Sequence, residues 1–197
     1  MTTKYFKIID SKKGNNGWMY FIGIHDLKDK NEEFNTKKEC VRGGLYYTTP
    51  EFILEFLSYG DMLCEVIPLG QIIEIEHKFK TNRLEIISVL PLNEISTWEF
   101  MRENGCPLNK YVCLWAVQNN NLEILKWAHE NGCPLDERIF RWAAKNNNLE
   151  MLKWARENGC PWDERVCYWA IENNNLEMLK WAHEMENKQL TGIMYIN

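Results

Sequence analysis

Seven cysteines, four histidines and 28 acidic side chains are the groups in this 197-residue chain that could do chemistry. Cys106, Cys133 and Cys160 recur at one spacing and suggest a metal ladder. Consecutive helical layers stand on the order of 10 Å apart, while zinc needs sulfur at about 2.3 Å, so the three read as structural thiols. Cys64 and His77 would be the only thiol-imidazole couple worth weighing, and a buried strand cysteine with a loop histidine is the preferred reading. His129 and His183, with Arg156 between them in register, read as an exposed helix face. No GxxxxGKS/T, GxGxxG, HExxH or GxSxG sequence occurs, and no cysteines sit at CxxC spacing. The expectation is a chain with no catalytic residue and no metal site.

The elements that must position these groups follow from the totals and from one periodicity. Apolar residues make up 45% of the chain, enough for a packed core. Formal net charge is −5. Residues 1–92 hold 12 Lys+Arg against 13 Asp+Glu, leaving 11 against 15 in residues 93–197. Neither half offers the basic surface that phosphate neutralisation requires, so nucleic acid is not the expected partner. No apolar run approaches the roughly 20 residues that cross a bilayer, and Met1 to Asp10 lacks the apolar core of a secretion signal. An odd number of cysteines with no export signal implies reduced thiols, hence an intracellular, cytoplasmic protein.

Leu122-Glu123-Ile124-Leu125-Lys126-Trp127-Ala128 returns as Leu149 to Ala155 and again as Leu176 to Ala182, a period of 27 residues. Trp115, Trp142 and Trp169 align at that offset, as do Asn120, Asn147 and Asn174 and the Gly-Cys-Pro triplets beginning at Gly105, Gly132 and Gly159. A period of this length signals a solenoid in which each unit buries its apolar face only against its neighbours. Within one unit the pattern predicts a helix from about Glu137 to Asn146, with Asp136 as N-cap and Ile139, Trp142 and Ala143 as its buried stripe. After a polar Asn-Asn-Asn turn, a second helix over about Leu149 to Asn158 buries Leu149, Leu152 and Ala155. Gly159 ends it in a left-handed conformation and Pro161 prevents continuation. Six of the nine tryptophans fall in repeat register and read as core.

The segment Trp142-Ala-Ala-Lys-Asn-Asn-Asn-Leu-Glu-Met-Leu-Lys resembles the core of ankyrin repeats, over residues from about 94 to 186. Arg138-Ile139-Phe140-Arg141 stands where those repeats usually carry Thr-Pro-Leu-His, and about six residues of their long hairpin are missing. This shortened Trp-Ala and Asn-Gly-Cys-Pro variety looks like the repeats that giant DNA viruses of amoebae encode in many copies. The resemblance implies recognition of another protein, of host or virus, with the first helix of each unit lining the concave side. Three registers on that helix vary most between copies: Tyr111/Arg138/Arg165, Leu114/Arg141/Tyr168 and Gln118/Lys145/Glu172. These nine residues are the protein-binding candidates, since Arg and Tyr are enriched at interface hot spots. Replacing Arg138, Arg141 and Arg165 with Ala is expected to leave folding intact and to weaken a specific complex.

The chain before the repeats has a different texture and no 27-residue echo. Strands are expected at Tyr5–Ile9, near Trp18–Ile22, at Gly44–Tyr47, Met62–Pro68, around Ile72–Glu76 and at Arg83–Val89, with one helix from Pro50 to about Tyr59. Thr48-Thr49 would cap that helix, Phe52, Ile53, Phe56 and Leu57 would bury, and Gly60 would close it. The expected architecture is therefore a small α+β domain over residues 1–92, an all-α solenoid of shortened ankyrin-like helix pairs over 93–187, and a cap or tail over 188–197.

Gly43-Gly44-Leu45-Tyr46-Tyr47-Thr48, a helix, then Met62-Leu63-Cys64-Glu65-Val66-Ile67-Pro68-Leu69-Gly70 resembles a strand-helix-strand unit of ADP-ribosyltransferases related to poly(ADP-ribose) polymerases. That resemblance implies NAD as cofactor, Tyr46 or Tyr47 stacked on nicotinamide, and Glu74, Glu76 or Glu85 as the assisting acid. The family's His-Gly-Thr or Tyr-Arg-Gly strand has no counterpart: Tyr5-Phe6-Lys7 offers an aromatic and a cation without Gly or Arg. Lacking a ribose anchor, the segment reads as a degenerate transferase-like scaffold, or as mere similarity of a strand-helix-strand unit, and not as a working enzyme. The leading reading is an adaptor without cofactor, and an NAD-using transferase that recruits substrate through its repeats is the alternative.

Overall fold

The computed structural model describes residues 3–14, 18–38 and 43–194, with side chains described to residue 187. Two compact units divide the chain, Met1–Leu108 and Asn109–Asn197. The helix over Ile95–Glu103 groups with the first of them, 16 residues beyond the boundary that the change of sequence texture suggests.

The first unit holds two antiparallel sheets. Strands β1 (Tyr5–Ile9), β4 (Met62–Pro68), β7 (Arg83–Pro91) and β2 (Gly23–Asp26) make one in the order β1-β4-β7-β2; β3 (Leu45–Tyr47), β6 (Lys78–Thr81) and β5 (Ile72–Ile75) make the other in the order β3-β6-β5. Val66, Leu84 and Ile86 meet Leu45, Tyr47 and Trp18 in the core. On the other face, Phe6, Leu63 and Leu92 are fully buried together with Trp98 and Met101 of α1 (Ile95–Glu103). Trp98 Nε1 donates to Leu92 O at 2.7 Å, and the Phe6 and Phe100 rings meet edge-on at 5.9 Å.

Several local expectations shift here. The strand expected near Trp18–Ile22 lies later, at Gly23–Asp26, and leaves Phe21 and Ile22 exposed. The helix expected from Pro50 is a 3-10 helix over Ile53–Tyr59 that buries Ile53, Leu54 and Leu57. Of the four side chains expected to bury, Ile53 and Leu57 do and Phe52 and Phe56 are only half-buried, while three residues per turn bring Leu54 to the side of Leu57. Thr48 does not cap it; its backbone exchanges two 2.8 Å hydrogen bonds with Phe6. Gly60 is extended, and glycine is needed because a Cβ there would lie 1.9 Å from Ile9 O. Strand β6 has no counterpart in the sequence reading, since Lys78 and Lys80 break its apolar pattern. Lys80 is nonetheless fully buried, its Nζ donating to Lys37 O at 2.6 Å. Lys7 is buried too; desolvation lowers its pKa to about 8, and its Nζ donates to Tyr46 O at 3.0 Å.

The second unit consists of α2 (Lys110–Gln118), α3 (Leu122–Glu130), α4 (Arg138–Lys145), α5 (Leu149–Glu157), α6 (Arg165–Glu172) and α7 (Leu176–Met194). α4 packs against both α2 and α6, and each pair partner folds back on its neighbour. Each first helix is capped by the residue two before its first free amide: Asn109, Asp136 and Asp163 accept from the N–H of Tyr111, Arg138 and Arg165 at 2.9–3.0 Å. Asn121, Asn148 and Asn175 cap the second helices through the N–H of Ile124, Met151 and Met178, again at 2.9–3.0 Å. Every first helix ends on a left-handed asparagine, Asn120, Asn147 or Asn174, with φ of 51–58°. α3 and α5 end on left-handed Gly132 and Gly159, and α1 on Gly105. The hydrogen bonds Asn148 N to Ala143 O and Cys160 N to Ala155 O close these ends in the six-to-one pattern of the Schellman motif. α7 has Glu186 at the glycine register and runs on to Met194, so the expected cap or tail begins as continued helix; residues 195–197 lie outside the described ones.

The side chains of Leu152, Ala155, Ile139 and Ala143 are buried as their spacing predicts, while Leu149 and Trp142 are half-exposed. Trp115, Trp142 and Trp169 occupy equivalent places, each carbonyl accepting from the N–H of the asparagine four residues on at 2.8–3.0 Å. A Cβ on Gly132 would meet nothing within 4 Å, so its only requirement is φ of 86°. Gly132→Ala is therefore expected to cost about 1 kcal/mol and Gly132→Asn clearly less, as Asn tolerates the left-handed region; denaturant unfolding midpoints of the three proteins check the ranking.

Candidate functional site

The nine variable residues fall on α2, α4 and α6 or their first turns, and the structure sorts them by what they touch. Gln118, Lys145 and Glu172 are exposed in all three copies. Tyr111 and Tyr168 are 43% and 54% exposed. Leu114 is half-buried. Lys145 Nζ stands 4.6 Å from the centre of the Trp142 ring and 5.8 Å from that of Trp169, a cation held between two indoles one repeat apart. The Tyr168 ring meets Trp169 edge-on at 5.2 Å. Positions that repeat without change behave oppositely: Ala116, Ala143 and Ala170 on the first helices and Ala128, Ala155 and Ala182 on the second are all buried.

The three arginines are engaged within the fold. Arg138 Nε donates to both carboxylate oxygens of Asp136 at 3.0 Å. Arg141 on α4 reaches Asp163 Oδ2 at 3.2 Å, and Arg165 holds Asp163 Oδ1 at 2.9 Å. The Asp163 side chain is only 4% exposed, so removing these partners would strand a buried carboxylate. The expectation that all three arginines can be truncated without cost to folding is overturned by this clasp.

On the second helices, His129 meets the Trp154 ring edge-on at 5.7 Å and is half-buried, while His183 is exposed. Cys113 Sγ points to Cys133 O at 3.9 Å and Cys160 Sγ to Asp136 O at 3.1 Å. Burial pushes the Cys160 thiol up to about 12, and contact with the Cys133 thiol, then burial, raises Cys113. The six described cysteines are free thiols; Cys40 lies outside the described residues. Among the described residues no group of three His, Cys, Asp or Glu is placed to hold a metal ion, and no helix is long and apolar enough to cross a membrane.

In the first unit Tyr47 is 3% exposed, with Phe79 stacked on it at 5.5 Å and Tyr5 at its edge at 5.2 Å. Its ring face is filled by this chain's own side chains. Tyr46 is half-exposed, with the Lys78 and Lys80 ammonium groups 5.7 and 6.0 Å from its ring. Strands β3 and β4, which bracket the transferase-like segment, lie in different sheets. Glu74 faces Phe79 across β5 and β6, whereas Glu85 sits on β7 between Ile24 and Ile67, so the two acids also belong to different sheets. His77 pairs with Glu55 at 2.9 Å on the surface, and Cys64 is fully buried in the core, its thiol raised to about 12 by burial.

The family profile described as ankyrin repeats (many copies) matches residues 113–154 and 140–183, the span that holds the capped helix pairs. An uncharacterized protein of Acanthamoeba polyphaga mimivirus is 33% identical over 135 residues, 61% of this chain and 94% of that protein. The chain belongs to the ankyrin-repeat family. Two ankyrin repeat proteins of the same virus are 29% and 30% identical over 133 and 130 residues. The chain spans 21% of the length of the first and 64% of the second. No solved structure matches it.

Sequence comparison of the ankyrin-type copies did not single out Trp142 and Trp169 as surface, because a tryptophan common to every copy is most simply core. Asp163 was likewise missed; the signal available was the alternation Asn109/Asp136/Asp163 just ahead of Tyr111/Arg138/Arg165. Burial would raise the Asp163 carboxyl, but the side-chain and backbone hydrogen bonds of Arg165, with the Arg141 side chain, hold it below the ordinary carboxylate range. A carboxyl depressed in the folded state contributes stability that is complete above its unfolded value, about 3.9, and is lost as pH falls through the folded value. Asp163→Asn keeps the cap, as Asn109 does one register earlier, and is expected to cost about 1 kcal/mol at neutral pH. Asp163→Ala should cost about 1 kcal/mol more by losing the cap. Below about pH 4 the gap between native protein and Asp163→Asn should narrow, as followed by urea midpoints from pH 3 to 7.

Proposed function

We propose that the protein is an interaction module that recognises another protein, of the host or the virus, through the exposed row on α2, α4 and α6. One observation carries this: of the three registers of the first helices that vary most between copies, Gln118/Lys145/Glu172 is exposed in every copy, while the unchanging alanines of the same helices are buried. Stacking fixes the second set and leaves the first for recognition. Around it stand Tyr111, Tyr168 and the Lys145 ammonium between Trp142 and Trp169, large amphipathic groups of the kind that anchor interfaces.

This reading assigns no cofactor, metal or catalytic residue, and places the protein in the cytoplasm of an infected host cell. Reduced thiols suit that compartment, and the mimivirus relatives suit that origin. The mode of binding is a rigid one, because the row lies on short helices tied at both ends and needs little ordering on contact.

The test substitutes exposed residues of the row whose side-chain contacts within the fold, as described above, are with the tryptophan rings alone. Tyr111→Ala, Lys145→Ala and Tyr168→Ala together should leave the helical circular dichroism intact and shift the unfolding midpoint little. A partner recovered from infected amoebae with the native chain should bind this triple variant at least about tenfold more weakly. Equal affinity would move the interface off this row.

A further inference from the structure

Within the second unit the fold brings the Cys113 and Cys133 thiols together. Cys113 lies on α2 and Cys133 in the loop after α3, 20 residues on, and both are buried. Cys113 Sγ stands 3.9 Å from Cys133 O and is in hydrogen-bonding contact with the Cys133 thiol. The repeat does not require this pair. Cys133 belongs to the recurring Gly-Cys-Pro triplet, but the next two copies carry Phe140 and Cys167 at the register of Cys113. The Phe140 ring packs on Trp162 at 5.1 Å, and Cys167 Sγ meets Glu186 Oε1 at 3.6 Å. A bulky ring serves the core one repeat onward, so packing alone does not account for a thiol at Cys113.

The contact makes the two sulfurs chemically unequal. Donation of the Cys113 S–H to Cys133 raises the Cys113 thiol and holds the Cys133 thiol below its ordinary range, against the opposing effect of burial. The thiolate is the form that attacks an oxidant, so Cys133 reacts first and Cys113 resolves. Cys160, a third thiol close enough to act on Cys113, is turned to Asp136 O at 3.1 Å and is raised to about 12 by burial. Access comes from the loop. Gly132 and Pro134, on either side of Cys133, are exposed, and a Cβ on Gly132 would meet nothing within 4 Å.

We propose that Cys113 and Cys133 are an oxidation site, a dithiol that a peroxide converts to a disulfide closing the 20-residue segment between them. The Cys133 thiolate attacks one oxygen of hydrogen peroxide, the O–O bond breaks, and hydroxide leaves behind a sulfenic acid. The Cys113 sulfur then attacks the Cys133 sulfur, the S–O bond breaks, and hydroxide departs with the Cys113 proton as water. The two thiols lose two electrons, one hydrogen peroxide gains them, and two waters result. The new bond ties α2 to the end of α3, the pair that carries Tyr111, Leu114 and Gln118. A cross-link restricts the unfolded chain more than the folded one, so the oxidised protein resists unfolding better than the reduced.

The test exposes the reduced full chain to hydrogen peroxide, alkylates the remaining thiols and maps tryptic peptides by mass spectrometry. The expected product joins peptide 111–126 to peptide 127–138 with loss of two hydrogens. It should form while the other cysteines are still open to alkylation, and should be a smaller share of the links made in urea, where the contact is lost. Cys113→Ala should leave a sulfenic acid on Cys133 that dimedone traps, whereas Cys133→Ala should leave Cys113 a thiol. Circular dichroism checks that both variants fold, and Cys113→Val replaces Cys113→Ala if the smaller side chain unfolds the pair. Peroxide should raise the unfolding midpoint of the native chain and of neither variant. A folded chain that keeps both thiols while its urea-unfolded form is oxidised overturns the proposal. So does a link from Cys113 to Cys160 in place of Cys133, dimedone trapping at Cys113 in Cys133→Ala, or a linked chain whose midpoint does not rise.

Discussion

Two left-handed residues per repeat set the geometry on which the second unit depends. An asparagine reverses the chain after α2, α4 and α6, and a glycine does so after α3 and α5. Both close a helix end by returning its last carbonyls to backbone N–H groups. The asparagine does more than the glycine, because its neighbours in the turn carry amides that cross to the previous pair at Val117 O and Ala144 O and to the previous turn at Asn120 and Asn147. Buried backbone carbonyls gain a second donor there, and the spacing between pairs is fixed by hydrogen bonds of 2.7–2.9 Å, not by apolar contact alone.

Once spacing is fixed in this way, the buried alanines follow. Small residues at Ala116, Ala143 and Ala170 let neighbouring helices approach, and the tryptophan beside each of them fills the margin of the layer. The hairpin that longer ankyrin repeats carry is short here, and the loop before each first helix is held instead by a carboxylate or amide that caps it. Asp163 shows how far this goes: one buried carboxylate caps α6 and binds arginines from both α4 and α6. Charge that looks available for recognition in the sequence is therefore consumed in joining two repeats.

Much of the second unit was legible in the residues. The 27-residue offset, the Asn-Asn-Asn turn and the Gly-Cys-Pro triplet gave helix boundaries to within one or two residues, since each depends on local backbone conformation and capping. The first unit was less so. Five of its strands announce themselves by β-branched and aromatic runs, but β6 hides behind Lys78 and Lys80, and the Lys80 stem buries because the tertiary contacts supply the Lys37 carbonyl for its ammonium. The 3-10 helix replaced an α-helix because Leu54 and Leu57, three apart, meet the core together.

The candidate site divides along the same line. Which registers vary between copies is written in the sequence, and so is the identity of their side chains. Which of them remain free is not, because that depends on partners brought from elsewhere in the chain. Arg141 and Asp163 are 22 residues apart and Lys145 and Trp169 are 24, separations that only stacking closes. Local order comes from propensity, capping and turn chemistry, all short-range and therefore readable; the choice between a binding arginine and a structural one is made by long-range packing, which the sequence specifies only through the whole fold.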